Sequence, residues 1–226
     1  FLGWLFYFLS RGMWRSYFVT LFLCLTVREH VGFLLATLGV YVFVVFKNLK
    51  VALFTSFISL AWSIAAIAVI MPILGQDYYG SFVEKDDTLG QAILSYLANP
   101  LFAVENFFTP PEKVETLFWS FFSFGMAPVL SFALMPSIIF QFASRFLDLQ
   151  HPIRWTLFFH YSAELAVILA IATIGGARII LDKVAKRKSM PLILAIFLVT
   201  AHLSANIVLD SPLKNLLKGQ FWQEEP

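Results

Sequence analysis

Three long apolar runs with almost no interior charge constrain this chain more than any other feature. They extend from Val51 to Leu74, from Tyr161 to Leu181 and from Met190 to Leu209, and only Glu164 and Arg178, near the two ends of the second, carry charge. A helix needs about 20 such residues to cross about 30 Å of hydrocarbon, so each run predicts a membrane span. Composition agrees, because only 13% of the residues are charged where a soluble domain carries about 25%. With 59% hydrophobic residues and a mean hydropathy of +0.79, 226 residues cannot hide their apolar side chains in one water-facing globule. The expected fold class is all-α, a polytopic transmembrane helical bundle forming a single membrane domain over residues 1–226.

The remaining apolar segments are too short to span. Ser16 to Val27 and Val31 to Phe46 read as a pair of short helices, and Phe1 to Ser10 as the end of a span. The chain opens inside that apolar run without the basic flank of a signal peptide, which suggests a fragment cut from a longer protein. Val114 to Phe142 has the length for one tilted helix, but Pro128 and Pro136 each remove a backbone donor. Two half-length helices in a proline-broken hairpin are expected there. Residues 75–113 form the expected extracytoplasmic loop, punctuated by Asn99-Pro100 and Pro110-Pro111. Within it, Leu89 to Ala98 carries apolar residues at Leu89, Ala92, Ile93 and Leu97, the pattern of an interfacial amphipathic helix.

Basic residues mark the cytoplasmic ends of membrane helices. They cluster at Arg11 and Arg15, at Lys47 and Lys50, and from Lys183 to Lys188. Placing all three clusters inside puts Arg28 to His30, residues 76–113, residues 145–159 and the tail outside. The arrangement closes only if Val114 to Phe142 enters and leaves on one face, as a hairpin would. A multi-pass protein of the cytoplasmic (inner) membrane is the expected location, with membrane lipid as its partner and no nucleic acid.

Chemistry is expected at two places. The first is Arg28-Glu29-His30: a helix rising about 1.5 Å per residue from Arg15 reaches Glu29 after about 21 Å, short of the far surface. Ionisable groups at that depth face a cavity or a polar ligand; the alternative is a tight hairpin in which Arg28 and Glu29 pair. The second is His160-Tyr161-Ser162-Ala163-Glu164, in which His160 and Glu164 share a helix face; the alternative is an interfacial aromatic belt. Both lie at the same end of the expected bundle. Arg145 and Arg154, flanking Asp148 and His151, are weaker candidates for binding phosphate, which arginine matches in a bidentate way; solvated loop charge is the alternative. His202, with Ser204 and Asn206, reads as an interhelical hydrogen-bonding group. The lone Cys24 excludes an internal disulfide and reads as packing. No metal-ligand spacing, Walker loop, dinucleotide-binding glycine pattern or nucleophile elbow is present in the sequence, and no cofactor is evident.

The residues also resemble a known family. Arg28-Glu29-His30-Val31-Gly32, then Leu38-Gly39-Val40-Tyr41, a basic turn, Leu60-Ala61-Trp62 and Val69-Ile70-Met71-Pro72 follow the pattern of domain-of-unknown-function family twenty seventy-nine, a group of bacterial and archaeal membrane proteins. Asn99-Pro100, the region between Pro128 and Pro136, and His160-Tyr161-Ser162-Ala163 match its later part in order, and the resemblance runs to about Ile180. That family resembles type-C glycosyltransferases, which take sugars from polyprenyl-phosphate donors on the extracytoplasmic side. The resemblance implies substrate-binding roles for Arg28, Glu29, His160 and Tyr161, while His30 and Glu164 are substrate-binding candidates from their place in the two polar stretches alone. It also implies a polyprenyl-phosphate sugar as partner, a divalent cation as a possible cofactor, and a catalytic base in an upstream outer loop. The family usually has Lys-Glu-Asp where Arg28-Glu29-His30 stands, and Glu164 departs from its pattern. A transporter or lipid flippase, or a non-catalytic scaffold, are the rival readings.

Overall fold

The computed structural model describes residues 1–74, 89–149, 151–157, 162–184 and 189–209. The described residues are helical with no strand, in agreement with the expected all-α class. Among the described residues, three helices are long and apolar enough to cross a membrane: Leu49–Ile73, Ala163–Lys183 and Met190–Val208.

The chain begins with α1 (Leu2–Ser10) and α2 (Trp14–Leu25), turns through residues 26–30, and returns as α3 (Val31–Phe46). At 12 and 16 residues, α2 and α3 are both shorter than a span. After the Lys47 turn, α4 (Leu49–Ala65), a π-helical turn (Ala66–Ile70) and α5 (Met71–Ile73) form one continuous rod. Pro72 accounts for the π turn. Its ring would clash with the carbonyl four residues back, at Ala68, and widening the helix there relieves the clash.

Helices α3 and α4 pack closely because small residues face each other. A Cβ on Gly32 would collide with Ser63 and the Ser59 carbonyl, and one on Gly39 with Ser56 and the Ala52 carbonyl. Backbones that approach so nearly are the usual glue between membrane helices. Hydroxyls fasten the contact: Tyr17 and Thr55 bond at 2.9 Å, and Ser56 donates to the Ala36 carbonyl at 2.8 Å.

The next described segment holds α6 (Leu89–Ala98), α7 (Pro100–Phe108) and α8 (Pro111–Phe122). The amphipathic helix expected over Leu89 to Ala98 is α6. Helix α7 was not expected. Asn99-Pro100 reads as punctuation in the sequence, whereas the Asn99 side chain accepts the Phe102 N–H and Pro100 opens the new helix, a strong helix start. Leu94, Leu97, Leu101 and Val104 on this pair are exposed.

The proline-broken region folds as α8, two 3-10 turns (Ala127–Leu130 and Phe132–Leu134) and α9 (Met135–Phe146). The break falls between the helices, around Gly125 and Met126, both with positive φ. Pro136 sits in the first turn of α9, where its missing donor costs nothing. The two legs return to one end. Lys113, in the first turn of α8, donates to the carbonyl of Phe146, the last residue of α9, at 2.7 Å, and Phe121 stacks on Phe142. Arg145, expected in an outer loop, belongs to α9 instead.

Helices α10 (Ala163–Val184) and α11 (Met190–Val208) complete the bundle. The hairpin tip packs on α10, where a Cβ on Gly176 would collide with the Ala127 backbone. Gly176 lies twelve residues along α10 from Glu164, about 18 Å deep. The hairpin therefore penetrates well into the bundle before turning back. The core lies where α1 to α4 meet α9 and α10, around Leu21, Leu34, Leu38, Ile138, Phe142 and Leu169.

Candidate functional site

Helix directions gather the polar groups at one end of the bundle. Residues 26–30 close α2 and open α3, Arg145 lies in the last turn of α9, and Glu164 lies in the first turn of α10. The turns holding Arg11, Arg15, Lys47 and Lys50, and the Lys183 end of α10, lie at the opposite end. The sequence argument placed these two sets on opposite membrane faces, and the helices carry them to opposite ends.

The turn at residues 26–30 is pinned from α4. Trp62 Nε1 donates to the Leu25 carbonyl at 2.8 Å, and Ser63 Oγ donates to the Glu29 carbonyl at 2.5 Å. These bonds occupy carbonyls that the end of α2 leaves without a helical partner. They also fix where Arg28, Glu29 and His30 project.

The two polar stretches expected to carry chemistry meet through Glu164. Its carboxylate lies 3.9 Å from Arg28 Nη1 and 3.8 Å from His30 Nε2, while His30 Nδ1 lies 3.5 Å from Glu29 Oε1. Such distances are those of ion pairs without tight hydrogen bonds. The Arg28 and His30 side chains are each 31% exposed and that of Glu164 15%, so water or a ligand can reach between them. Glu164 is thus the residue that joins the two stretches. His160 and Tyr161 lie outside the described residues.

A second polar cluster sits beside the first and is built in the opposite way. Asp148, fully buried, receives Arg154 Nη1 at 2.6 Å and His151 Nδ1 at 2.9 Å, while Trp155 Nε1 donates to its backbone carbonyl at 2.9 Å. Arg145 donates to the carbonyls of Arg154 and Thr156, each at 2.7 Å. Lys113, also fully buried, donates to the carbonyls of Asn106 and Phe146 at 2.6 and 2.7 Å and lies 4.0 Å from the centre of the Trp155 ring. Burial lowers its ammonium to about 8, with Asp148 acting in the opposite sense. The group therefore remains cationic at neutral pH, where carbonyls and an indole face stabilise it. Burial and the nearby Asp148 push the Tyr96 phenol up to about 12, and its hydroxyl donates to the Leu147 carbonyl at 2.8 Å.

This second cluster is a clasp that closes the mouth of the hairpin. Arg145 and Arg154, the phosphate-binding candidates, are both engaged in it, Arg154 by a carboxylate and Arg145 by two carbonyls. Lys113 was missed as a functional or structural centre because an isolated lysine between two prolines and an aromatic stretch carries no signal of what will surround it. Among the described residues no three His, Cys, Asp or Glu side chains are grouped to hold a metal ion. Cys24 is buried and free.

A cavity of about 380 Å³ lies between α8, α10 and α11, lined by Ser120, Phe124, Ser162, Leu169, His202 and Asn206 among others. His202 was expected to bridge helices by hydrogen bonding. Instead its ring packs near Phe124, with centroids 6.5 Å apart, and borders the cavity. Asn206 donates to the carbonyl of His202 within the same helix.

A family model described as predicted membrane protein (DUF2079) matches residues 1–216. No curated protein and no solved structure matches the chain.

Proposed function

The chain belongs to the family of predicted membrane proteins designated DUF2079, and from that premise we propose that it takes part in sugar transfer from a polyprenyl-phosphate donor at the extracytoplasmic face of the inner membrane. In this reading the end carrying Arg28, Glu29, His30 and Glu164 faces outward, the basic turns face the cytoplasm, and the α6–α7 pair rests its exposed leucines in the outer leaflet.

One observation carries the proposal. Glu164 is approached by Arg28 at 3.9 Å and by His30 at 3.8 Å, which leaves donors of both side chains available to a ligand at a half-buried site. Transfer forms a bond from an acceptor hydroxyl to the anomeric carbon, passes the hydroxyl proton to the general base that the resemblance implies in an upstream outer loop, and breaks the bond from that carbon to phosphate. The polyprenyl phosphate leaves as an anion. A cation held near the departing oxygen stabilises that charge, and a guanidinium suits it by offering paired donors. Arg28 fills this role, Glu164 holds Arg28 and His30 in place, and Glu29 orients the acceptor.

Transport offers a second reading only if polar groups continue from this end to the other. The buried polar residues of α4, Thr55, Ser59 and Ser63, instead lie in the close contact with α2 and α3, which favours a site open to one face. The test is turnover of a polyprenyl-phosphate sugar by the full-length protein in lipid vesicles. Arg28→Gln should lower transfer about 100-fold with helicity unchanged. Transfer at the parent rate in that variant, or movement of intact donor across the bilayer without bond cleavage, would overturn the reading.

A further inference from the structure

The cavity between α8, α10 and α11 faces away from the Arg28 cluster. Ser162, Leu165, Ala166 and Leu169 line it, and at about 100° per residue they occupy one side of α10. Glu164 falls on the opposite side. The two sites therefore share a helix without sharing a face.

Its polar groups have capacity left over. Ser162 Oγ is buried without a hydrogen-bond partner. Ser120 and Ser123 donate to the carbonyls of Thr116 and Ser120, which leaves their oxygen lone pairs as acceptors. Asn206 donates within its helix and keeps its side-chain oxygen. His202 is exposed on a span whose neighbours Val199, Leu203 and Ile207 are exposed apolar residues. An ionisable ring at such a position requires a polar partner. Among the described residues, no lysine, arginine or carboxylate lines the cavity.

We infer that this cavity is a binding site for a neutral membrane lipid of the diacylglycerol type. The hydroxyl and ester groups meet Ser162, His202 and Asn206, and the chain lies along Phe124, Leu165 and Leu169. The occupant is neutral because the lining offers donors and acceptors but no counter-charge. It comes from the bilayer because His202, which lines the cavity, is itself exposed on a candidate membrane span beside the exposed apolar residues Val199, Leu203 and Ile207. The size falls within the roughly 300–1,000 Å³ typical of ligand sites. This inference does not rest on the transfer reading.

The experiment uses the full-length protein in nanodiscs with a diazirine-bearing diacylglycerol, and peptide mapping of the crosslinks. Labelling should concentrate on α8, α10 and α11 around the cavity. Ala166→Trp, at an exposed position on the rim, should fill the site and abolish that labelling. His202→Leu should lower it about 5-fold, the equivalent of one hydrogen bond of about 1 kcal/mol. Two variants guard against misfolding of either one. Labelling spread evenly over the lipid-facing surface, labelling unchanged in both variants, or stronger labelling by a phosphatidic acid probe would each overturn the inference.

Discussion

Two charged clusters stand side by side at one end of this bundle, and they are built on opposite principles. Around Asp148 the contacts run from 2.6 to 2.9 Å and the central carboxylate is buried. Around Glu164 they are 3.8 and 3.9 Å and the cations are partly exposed. The first cluster joins α8 to α9 and folds residues 148, 149 and 151–157 back on them, so its charges are closely held, with Arg145 Nη1 the one guanidinium nitrogen among the described residues left buried without a hydrogen-bond partner. The second joins two stretches distant in the sequence through the looser approach of Arg28 and His30 to Glu164. Saturated charge holds a fold together, whereas loosely paired charge is available to a ligand.

The sharpest way to break this comparison is to remove the centre of the clasp. Asp148→Ala leaves Arg154 without its carboxylate and should cost about 3–5 kcal/mol of stability, read as the detergent-solubilised melting transition. A loss below about 1 kcal/mol would mean that the clasp is ordinary surface charge. The effect of pH on Lys113 is smaller and has a definite sign. Its folded pKa, lowered from 10.5 to about 8, means that between those values the unfolded chain holds a proton that the folded one has released. Stability should therefore rise with pH across that window, by on the order of 3 kcal/mol, and stay flat below it. Lys113→Met should remove the rise. At the other cluster the expected change is smallest. Glu164→Gln should alter stability by less than about 1 kcal/mol, since its contacts at 3.8 and 3.9 Å are too long for tight hydrogen bonds and its cations are partly exposed, and a larger loss would place it with the clasp.

The same contrast explains what the sequence could reveal. The three spans were legible because about 20 uncharged apolar residues leave one solution in lipid. The hairpin was legible because Pro128 and Pro136 exclude a continuous helix. Helix α7 was not, since Asn99-Pro100 serves equally as a loop and as a helix start, and only neighbouring contacts decide. The convergence of Arg28 to His30 with the start of α10 followed from counting helix lengths. Glu164 as the meeting point did not, because neither pattern nor spacing tells which side of α10 faces the turn at residues 26–30. Arg145 and Arg154 looked like phosphate ligands because a sequence does not disclose which carbonyls will surround a guanidinium. Lys113 meets Phe146 only after the hairpin closes, and nothing local announces it.

The most direct test is equilibrium binding of an inert polyprenyl phosphate to the folded parent protein and to two variants, Arg28→Gln and Arg154→Gln. Loosely paired charge as the ligand site predicts that Arg28→Gln weakens binding at least 10-fold, the value of a charge-assisted hydrogen bond of about 1.5–3 kcal/mol, while Arg154→Gln leaves the affinity of folded protein unchanged. The reverse pattern, with Arg154→Gln abolishing binding and Arg28→Gln having no effect, would contradict it.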